Sequence, residues 1–299
     1  VLVKKNIMMF GLTTKHFGVR TSFVVQVKHM NRFIAAMDHS GGSSPGVLEL
    51  YGYPNAHELP HEVVMDDIHL MRLRMVNHPD FHSENISHAI LYRDTVDRGM
   101  VDVLSAKGVR AILKIDSGCR PDGTLKDYDV KAMIDYAKLN GCVGTKMRSI
   151  VKTQAVLDDI LFQQFSMAQE ISNAGLVPIV EPEVPIDHLD KKNLEFHLNK
   201  NLKKYLKEFN GGVILKLTLP EEPNLYKDLN MYSTVTKIVG LSGGYTTQEA
   251  CRRLSENSNM TASFSRGLSE GLLITQTDEE FNERLAQNIK MIVQSGEDL

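Results

Sequence analysis

The sequence predicts an α/β protein folded as a (β/α)8 TIM barrel. Short apolar runs recur eight times at fairly even intervals. Stretches with helical spacing lie between them. The whole pattern covers about 250 residues, the usual extent of such a barrel. A doubly wound sheet, the runner-up, would normally need fewer strands. No internal repeat, low-complexity tract or linker divides the chain, so 31–299 reads as one domain behind an irregular N-terminal segment, 1–30.

The strand candidates are, in order, "FIAAM" (33–37), "HAILY" (88–92), "RAILKI" (110–115) and "GCVGTKM" (141–147). "LVPIVE" (176–181), "VILKLT" (213–218), "TKIVGL" (236–241) and "MTASF" (260–264) follow. Each is short, and many are rich in Val and Ile, as buried parallel strands are. Between them, 61–76 sets Val64, Ile68, Met71 and Met75 on one helical face. The stretch 156–175 does the same with Ile160, Leu161, Phe165, Ala168 and Ile171, and Gly175 is placed to end it. Leu194, Leu198, Leu202 and Leu206 make a stripe along 189–212. Thr246 with Glu249 three residues on has the pattern of a capping box opening 246–257, and 279–293 is a closing amphipathic helix.

Composition excludes several function classes. The 299 residues are 42% hydrophobic and 24% charged, enough for an ordinary globular core. A net charge of −3 argues against nucleic-acid or membrane-surface binding driven by basic charge. No apolar run approaches the roughly 20 residues that span a bilayer. The three cysteines, Cys119, Cys142 and Cys251, form no CxxC pair, which suits reduced thiols in a cytoplasmic protein. The first 37 residues hold six Lys or Arg and no Asp or Glu, a pattern shared by organelle-targeting leaders and by irregular leading segments. Interface and core residues look alike in composition, so a homo-oligomer is left open.

In a (β/α)8 barrel the reactive groups gather at the C-terminal ends of the strands. Here the first strand ends in Asp38, and the third carries Lys114 and Asp116. The fourth ends in Lys146 and then Arg148, the fifth in Glu181 and then Glu183, and the sixth contains Lys216. The seventh runs into Ser242-Gly243-Gly244, and the eighth into a loop with Arg266. The second, ending in Tyr92, Arg93 and Asp94, is the exception. One charged strand end is usually a solvated rim. Seven strands aiming a charge or a phosphate-friendly loop at one rim make a site.

Lys216 is the sharpest feature, an ammonium among Val213, Ile214, Leu215, Leu217 and Leu219. Burying an unpaired charge costs several kcal/mol. An ordinary lysine is a free amine about once in 2,500 molecules at pH 7. An apolar strand, with Lys146 and Lys114 nearby, would make the neutral form more frequent. A neutral amine attacks ketones and forms an iminium, an electron sink for cleaving an adjacent C–C bond. The bland alternative is a structural ion pair with Glu181 or Glu183. "LSGG" lets backbone N–H groups approach a phosphate or is simply a tight turn; Arg266 at the next strand end would add a bidentate contact.

The motifs "FIAAMDHSGGS", "GTKMRS", "GLVPIVEPEV", "LKLTLPEEPNLY", "LSGGYT" and "SFSRGL" together resemble class I fructose-bisphosphate aldolases of the compact bacterial type, over roughly 33–295. The resemblance implies reversible, metal-independent aldol cleavage of fructose 1,6-bisphosphate through a lysine Schiff base, with no cofactor and a small sugar bisphosphate as the partner. Residue by residue, it implies that Lys216 forms the imine and Glu181 moves protons through carbinolamine formation and dehydration. Asp38 would take the C4 hydroxyl proton, and Lys146 would orient substrate and depress the Lys216 pKa. Lys114 would touch a sugar hydroxyl and the Asp38 carboxylate. Ser242, Gly243 and Arg266 would hold the 1-phosphate and Arg148 the 6-phosphate, with Glu183 orienting the lysines from behind.

The resemblance has departures. Arg93 and Asp94 stand where the family tends to have Glu-Gln, Ser117 where a second lysine is frequent, and the loops after strands two and three look compact. The animal enzymes use a mobile C-terminal tyrosine, whereas the last tyrosine here is Tyr245. Two other readings remain at this stage: a Schiff-base aldolase for another phosphorylated sugar or keto acid, and an inactive relative kept for binding. "HELPH" (57–61) spells a zinc motif, but Pro60 denies it the helix that would put His57 and His61 on one face.

Overall fold

The computed structural model describes residues 32–296; the readings made for 1–30 fall outside them. Eight parallel strands form one sheet in sequence order: β1 Phe33–Met37, β2 Ile86–Leu91, β3 Arg110–Lys114, β4 Gly144–Ile150, β5 Val177–Glu183, β6 Val213–Thr218, β7 Val235–Leu241 and β8 Thr261–Ala262. A hydrogen bond from Ala36 N–H to the Phe264 carbonyl, 3.2 Å, brings the eighth strand back to the first and closes the barrel.

The helices, in chain order, are α1 Ser44–Leu50, α2 His61–Val76, α3 Arg93–Asp97, α4 Met100–Ala106, α5 Val130–Leu139, α6 Leu157–Asn173, α7 Lys191–Glu208, α8 Thr247–Ser255, α9 Arg266–Ser269 and α10 Asp278–Ser295. The β6–β7 connection has only a 3-10 turn, Lys227–Met231, after two prolines. All the stripe residues expected to face the core are buried, from Val64 on α2 to Leu206 on α7. Among the described residues, no helix is long and apolar enough to cross a membrane.

Helix ends explain where sequence and structure differ. The run from 141 was read as strand, yet Gly141 has φ 72° and its N–H bonds the Lys138 carbonyl, while Cys142 N–H bonds that of Ala137. That is a Schellman cap on α5, so β4 starts three residues later and Arg148 lies within it. Gly175, with φ 84°, ends α6 in the same way, as its position predicts. Thr246 does cap α8, but Glu249 turns to Arg252 and Arg253 instead of returning to the cap. The reciprocal capping box belongs to Thr277 and Glu280 on α10.

Strand alternation sorts the core into two bodies. One face of each strand packs against the helices: in β6, Val213, Leu215 and Leu217. The other lines a small apolar lumen of Ile34, Ala36, Ile90, Ile112, Ile179, Ile214 and Val239. Two residues further along a strand lies the same face. So Asp38 follows Ala36, Lys114 follows Ile112, Glu181 follows Ile179 and Lys216 follows Ile214, all at the C-terminal mouth.

The compact loop after β3 depends on Gly123, at φ 96°. Ile150 N–H donates to the Gly123 carbonyl, 3.0 Å, and a Cβ on residue 123 would sit 1.8 Å from the Ile150 carbonyl oxygen. Gly123→Ala combines a strained backbone with a backbone clash, and is expected to destabilise by about 3 kcal/mol, roughly 6–12 °C in Tm. A thermal melt within a degree of wild type would show that the loop is not held this way.

Candidate active site

Every predicted site residue lines one cleft of about 430 Å³ at the C-terminal mouth: Lys216, Glu181, Asp38, Lys146, Lys114, Arg148, Glu183, Ser242, Gly243 and Arg266. Its volume is within the usual range for small-molecule sites.

At its floor, cations and carboxylates alternate. Lys216 Nζ is 3.1 Å from Glu181 Oε1, and Lys146 Nζ is 3.2 Å from Glu181 Oε2. Lys146 also lies 2.6 Å from Asp38 Oδ2 and 3.9 Å from Asp116 Oδ2. Lys114 is 3.8 Å from Asp116 Oδ1 and donates to Ser40 Oγ at 2.9 Å. Three ammoniums thus meet three carboxylates. Lys216 is 4% exposed, and the ammonium set among apolar strand residues is paired with Glu181. The ion-pair partner of Asp38 is Lys146; the contact expected from Lys114 goes to Ser40 and Asp116 instead.

Local bonds hold these groups in place. Glu181 N–H donates to Gln164 Oε1 at 2.9 Å, and Gln164 Nε2 donates back to the Glu181 carbonyl at 3.3 Å, so buried Gln164 on α6 fixes the end of β5. Thr218 Oγ1 donates to the Val184 carbonyl at 2.8 Å and accepts from Val184 N–H at 3.0 Å, tying β5 to β6 beyond Lys216. Asp116 accepts from Gly118 N–H and Arg148 N–H, both at 3.2 Å.

The charge states follow. Burial alone would raise Asp38, but Lys146, Lys216 and Lys114 hold its carboxyl far below the usual range. Glu181 is likewise pulled down against its burial, by Lys146 and then Lys216. Burial opposes the Lys146 ammonium, yet Asp38, Glu181 and Asp116 together keep it above the ordinary lysine value. Glu183 goes the other way: burial raises it despite Arg148, whose Nε is 2.6 Å from Glu183 Oε2.

On one flank, Gly243 and Gly244 have φ 60° and 129°, conformations that a side chain would strain. A Cβ on residue 244 would come within 3.2 Å of Arg266 Nη2, so the guanidinium lies directly against this glycine loop. Arg266 is exposed, and among the described residues no carboxylate pairs with it. It is a spare cation beside free backbone, a fit for a phosphate dianion. Arg148 stands on the opposite flank.

Sequence reasoning passed over His39, Ser40, Ser263 and Ser265. Burial lowers the His39 imidazole to about 4, so it is neutral; its Nε2 is 2.9 Å from Ser265 Oγ and its carbonyl accepts from Arg72. Ser263 and Ser265 were legible in principle, because Thr261, Ser263 and Ser265 alternate along one face. Ser263 Oγ is buried without a hydrogen-bond partner. His57 and His61 do not share a helix: His57 is in a 3-10 turn and His61 opens α2 behind Pro60.

No family model matches the sequence. Over 280 residues the chain is 42% identical to a protein of Synechocystis sp. named fructose-bisphosphate aldolase class 1, covering 88% of this chain and 93% of the other. A fructose-bisphosphate aldolase of Plasmodium falciparum, solved with TRAP and a small-molecule inhibitor, superposes with a TM-score of 0.69 at 17% identity, over 94% of this chain and 95% of that one. An archaeal fructose-1,6-bisphosphate aldolase, whose catalytic lysine is covalently bound to the carbinolamine intermediate of its substrate, gives 0.51 at 10% identity, over 90% and 98%. At such identities the two structures speak for the fold.

Proposed function

Because the chain belongs to the class 1 fructose-bisphosphate aldolase family, we propose that its cleft carries out that family's reaction with Lys216 as the imine-forming amine. The reaction is the reversible cleavage of fructose 1,6-bisphosphate to dihydroxyacetone phosphate and glyceraldehyde 3-phosphate. The observation that supports Lys216 most is its buried amine, 3.1 Å from a carboxylate that Lys146 holds from the other side.

That sharing has a chemical use. A proton can pass from Lys216 Nζ to Glu181 Oε1 while Oε2 keeps its bond to Lys146. The free amine attacks the C2 ketone, and Glu181 returns the proton to the carbinolamine hydroxyl, which leaves as water. The iminium then draws electrons from the C3–C4 bond. Asp38 is ionised and accepts the C4 hydroxyl proton as that bond breaks. Its clamp by Lys146 makes it a weak base, so proton uptake must accompany bond cleavage instead of preceding it. Glyceraldehyde 3-phosphate departs; the enamine left on Lys216 is protonated at C3, and water releases dihydroxyacetone phosphate. Lys114, on β3 next to the strand of Lys146, is placed for a sugar hydroxyl.

The phosphates set the substrate. Ser242, Gly243 and Arg266 hold the 1-phosphate, and Arg148, Glu183 releasing it, holds the 6-phosphate. Glu183 keeps Arg148 positioned when the cleft is empty. We place this work in the cytoplasm, which suits three free cysteines.

Arg148→Ala tests the assignment. The variant should raise KM for fructose 1,6-bisphosphate by about 10–100-fold, as for a lost charge-assisted contact. Cleavage of fructose 1-phosphate, which has nothing for Arg148 to hold, should change less than about threefold. Equal losses on both substrates would remove Arg148 from the 6-phosphate site. Wild-type cleavage should persist in EDTA; its loss there would overturn the Schiff-base reading.

A further inference from the structure

The barrel lumen carries charge at both mouths, but only at the catalytic mouth do carboxylates pair with the lysines. Ile34, Ile90, Ile112 and Val239 line the apolar middle. The residue two positions before each is basic: Arg32, His88, Arg110 and Lys237. Side chains two apart share a strand face, so all four belong to the N-terminal mouth of the same lumen. Ile34 pairs with His88 and His88 with Arg110 across neighbouring strands, and only β8 separates β7 from β1.

The four lie close together. Lys237 Nζ donates to the Arg32 carbonyl, Arg32 Nη1 donates to the Ser83 carbonyl at 3.0 Å, and His88 Nδ1 is 3.0 Å from Ser87 Oγ. Burial and then Arg32 bring Lys237 down to about 8. Burial, Arg110, Lys237 and Arg32 bring His88 to about 3. Among the described residues, no carboxylate pairs with any of them. Asp97 and Asp102 line the groove beside Arg110 without forming an ion pair with it. Arg32 Nε is buried and has no acceptor, an orphan donor within the cluster.

Arg32 and Lys237 are half-buried and Arg110 is exposed, and cations gathered without a counter-charge, one of them with a spare donor, are relieved when an anion joins them. We infer that the N-terminal mouth of the barrel is a second anion site, which takes the phosphoryl group of a small molecule between Arg110 at the exposed rim and Arg32 and Lys237 inside. Two guanidinium forks and an ammonium suit a tetrahedral oxyanion better than a single carboxylate. The isoleucine layer blocks deeper entry, so only the anionic group inserts. The site is at the opposite end of the strands from Lys216 and does not depend on the roles given to the cleft.

The test uses an Arg148→Ala/Arg266→Ala background, which removes the two guanidinium groups assigned to phosphate in the cleft. Thermal melts compare sodium phosphate with sodium chloride at matched ionic strength. The background protein should keep a phosphate-specific rise of about 2–4 °C, the size expected several-fold above a dissociation constant. Adding Arg110→Met, and separately Lys237→Met, should each remove more than half of it. If Lys237→Met does not fold, Arg110→Met, at the exposed rim, carries the comparison. Glycerol phosphate as a second arm separates the sources: a larger rise than with inorganic phosphate assigns a phosphorylated metabolite, and an equal rise assigns the free ion. No phosphate-specific rise in the background, or one that survives both added substitutions, would overturn the site.

Discussion

Lys146→Met should unfold more easily and turn over far more slowly than wild type. Lys146 is the centre of the charge array, 2.6 Å from Asp38, 3.2 Å from Glu181 and 3.9 Å from Asp116. Methionine fills its volume but leaves the buried Asp38 carboxylate without its ion-pair partner. Removing one member of a buried pair typically costs about 3–5 kcal/mol, here a fall in Tm of roughly 10 °C. Activity should fall by about 10²–10⁴-fold, since the group that orients both Glu181 and Asp38 is gone.

The loss should also depend on pH, in a direction that can be worked out. In the wild type, Asp38 and Glu181 titrate below their unfolded values. Their contribution is present at neutral pH and disappears as pH falls through the low folded values. Lys146, raised above its ordinary value, contributes fully below about pH 10.4 and loses that contribution as pH rises beyond it. In Lys146→Met the buried carboxylates lack that cation and bind protons more readily folded than unfolded. Acidification from pH 7 to 5 should therefore narrow the stability gap between variant and wild type. Denaturant titrations at both pH values measure this. A gap that stays constant, or no gap, would mean that Lys146 is not the structural centre of the array.

Lys216→Met should abolish turnover, a loss on the order of 10⁵-fold or more, while the fold survives. Without the amine there is no covalent route, and residual activity is limited to what positioning supplies. Stability should change little by comparison with Lys146→Met, because Glu181 keeps Lys146 as its partner. Steady-state kinetics and a melt together separate the two lysines. Retained activity above about one part in a thousand would assign the nucleophile elsewhere.

The barrel was legible because its strands are short, apolar and evenly spaced; β6 begins and ends where the sequence places it, at Val213 and Thr218. The helices α1, α3 and α4, of seven residues or fewer, and the 10-residue α5, which buries only Ile134 and Ala137, escaped notice. Stretches that short do not complete a periodic stripe, and a helix with two buried residues barely shows one. That the candidate residues would gather at one mouth was legible for a related reason. Its charged residues continue, two positions on, the face that Ala36, Ile112, Ile179 and Ile214 give to the lumen.

What spacing does not give is which charge meets which. Cross-strand pairing depends on barrel stagger, and stagger put Lys146 rather than Lys114 on Asp38. His39 carries no such signal, because it lies one residue past the lumen-facing Asp38 and is off the alternating set. The basic ring at the other mouth obeys the same rule of two, but it becomes visible only once the lumen residues are known.

The most direct measurement is borohydride trapping with dihydroxyacetone phosphate in the presence of EDTA, followed by peptide mass mapping. A stoichiometric reduced adduct on the peptide carrying Lys216, with parallel loss of activity, is the predicted result. An intact Lys216 peptide with undiminished activity, or an adduct on Lys146 or Lys114 instead, would contradict the assignment.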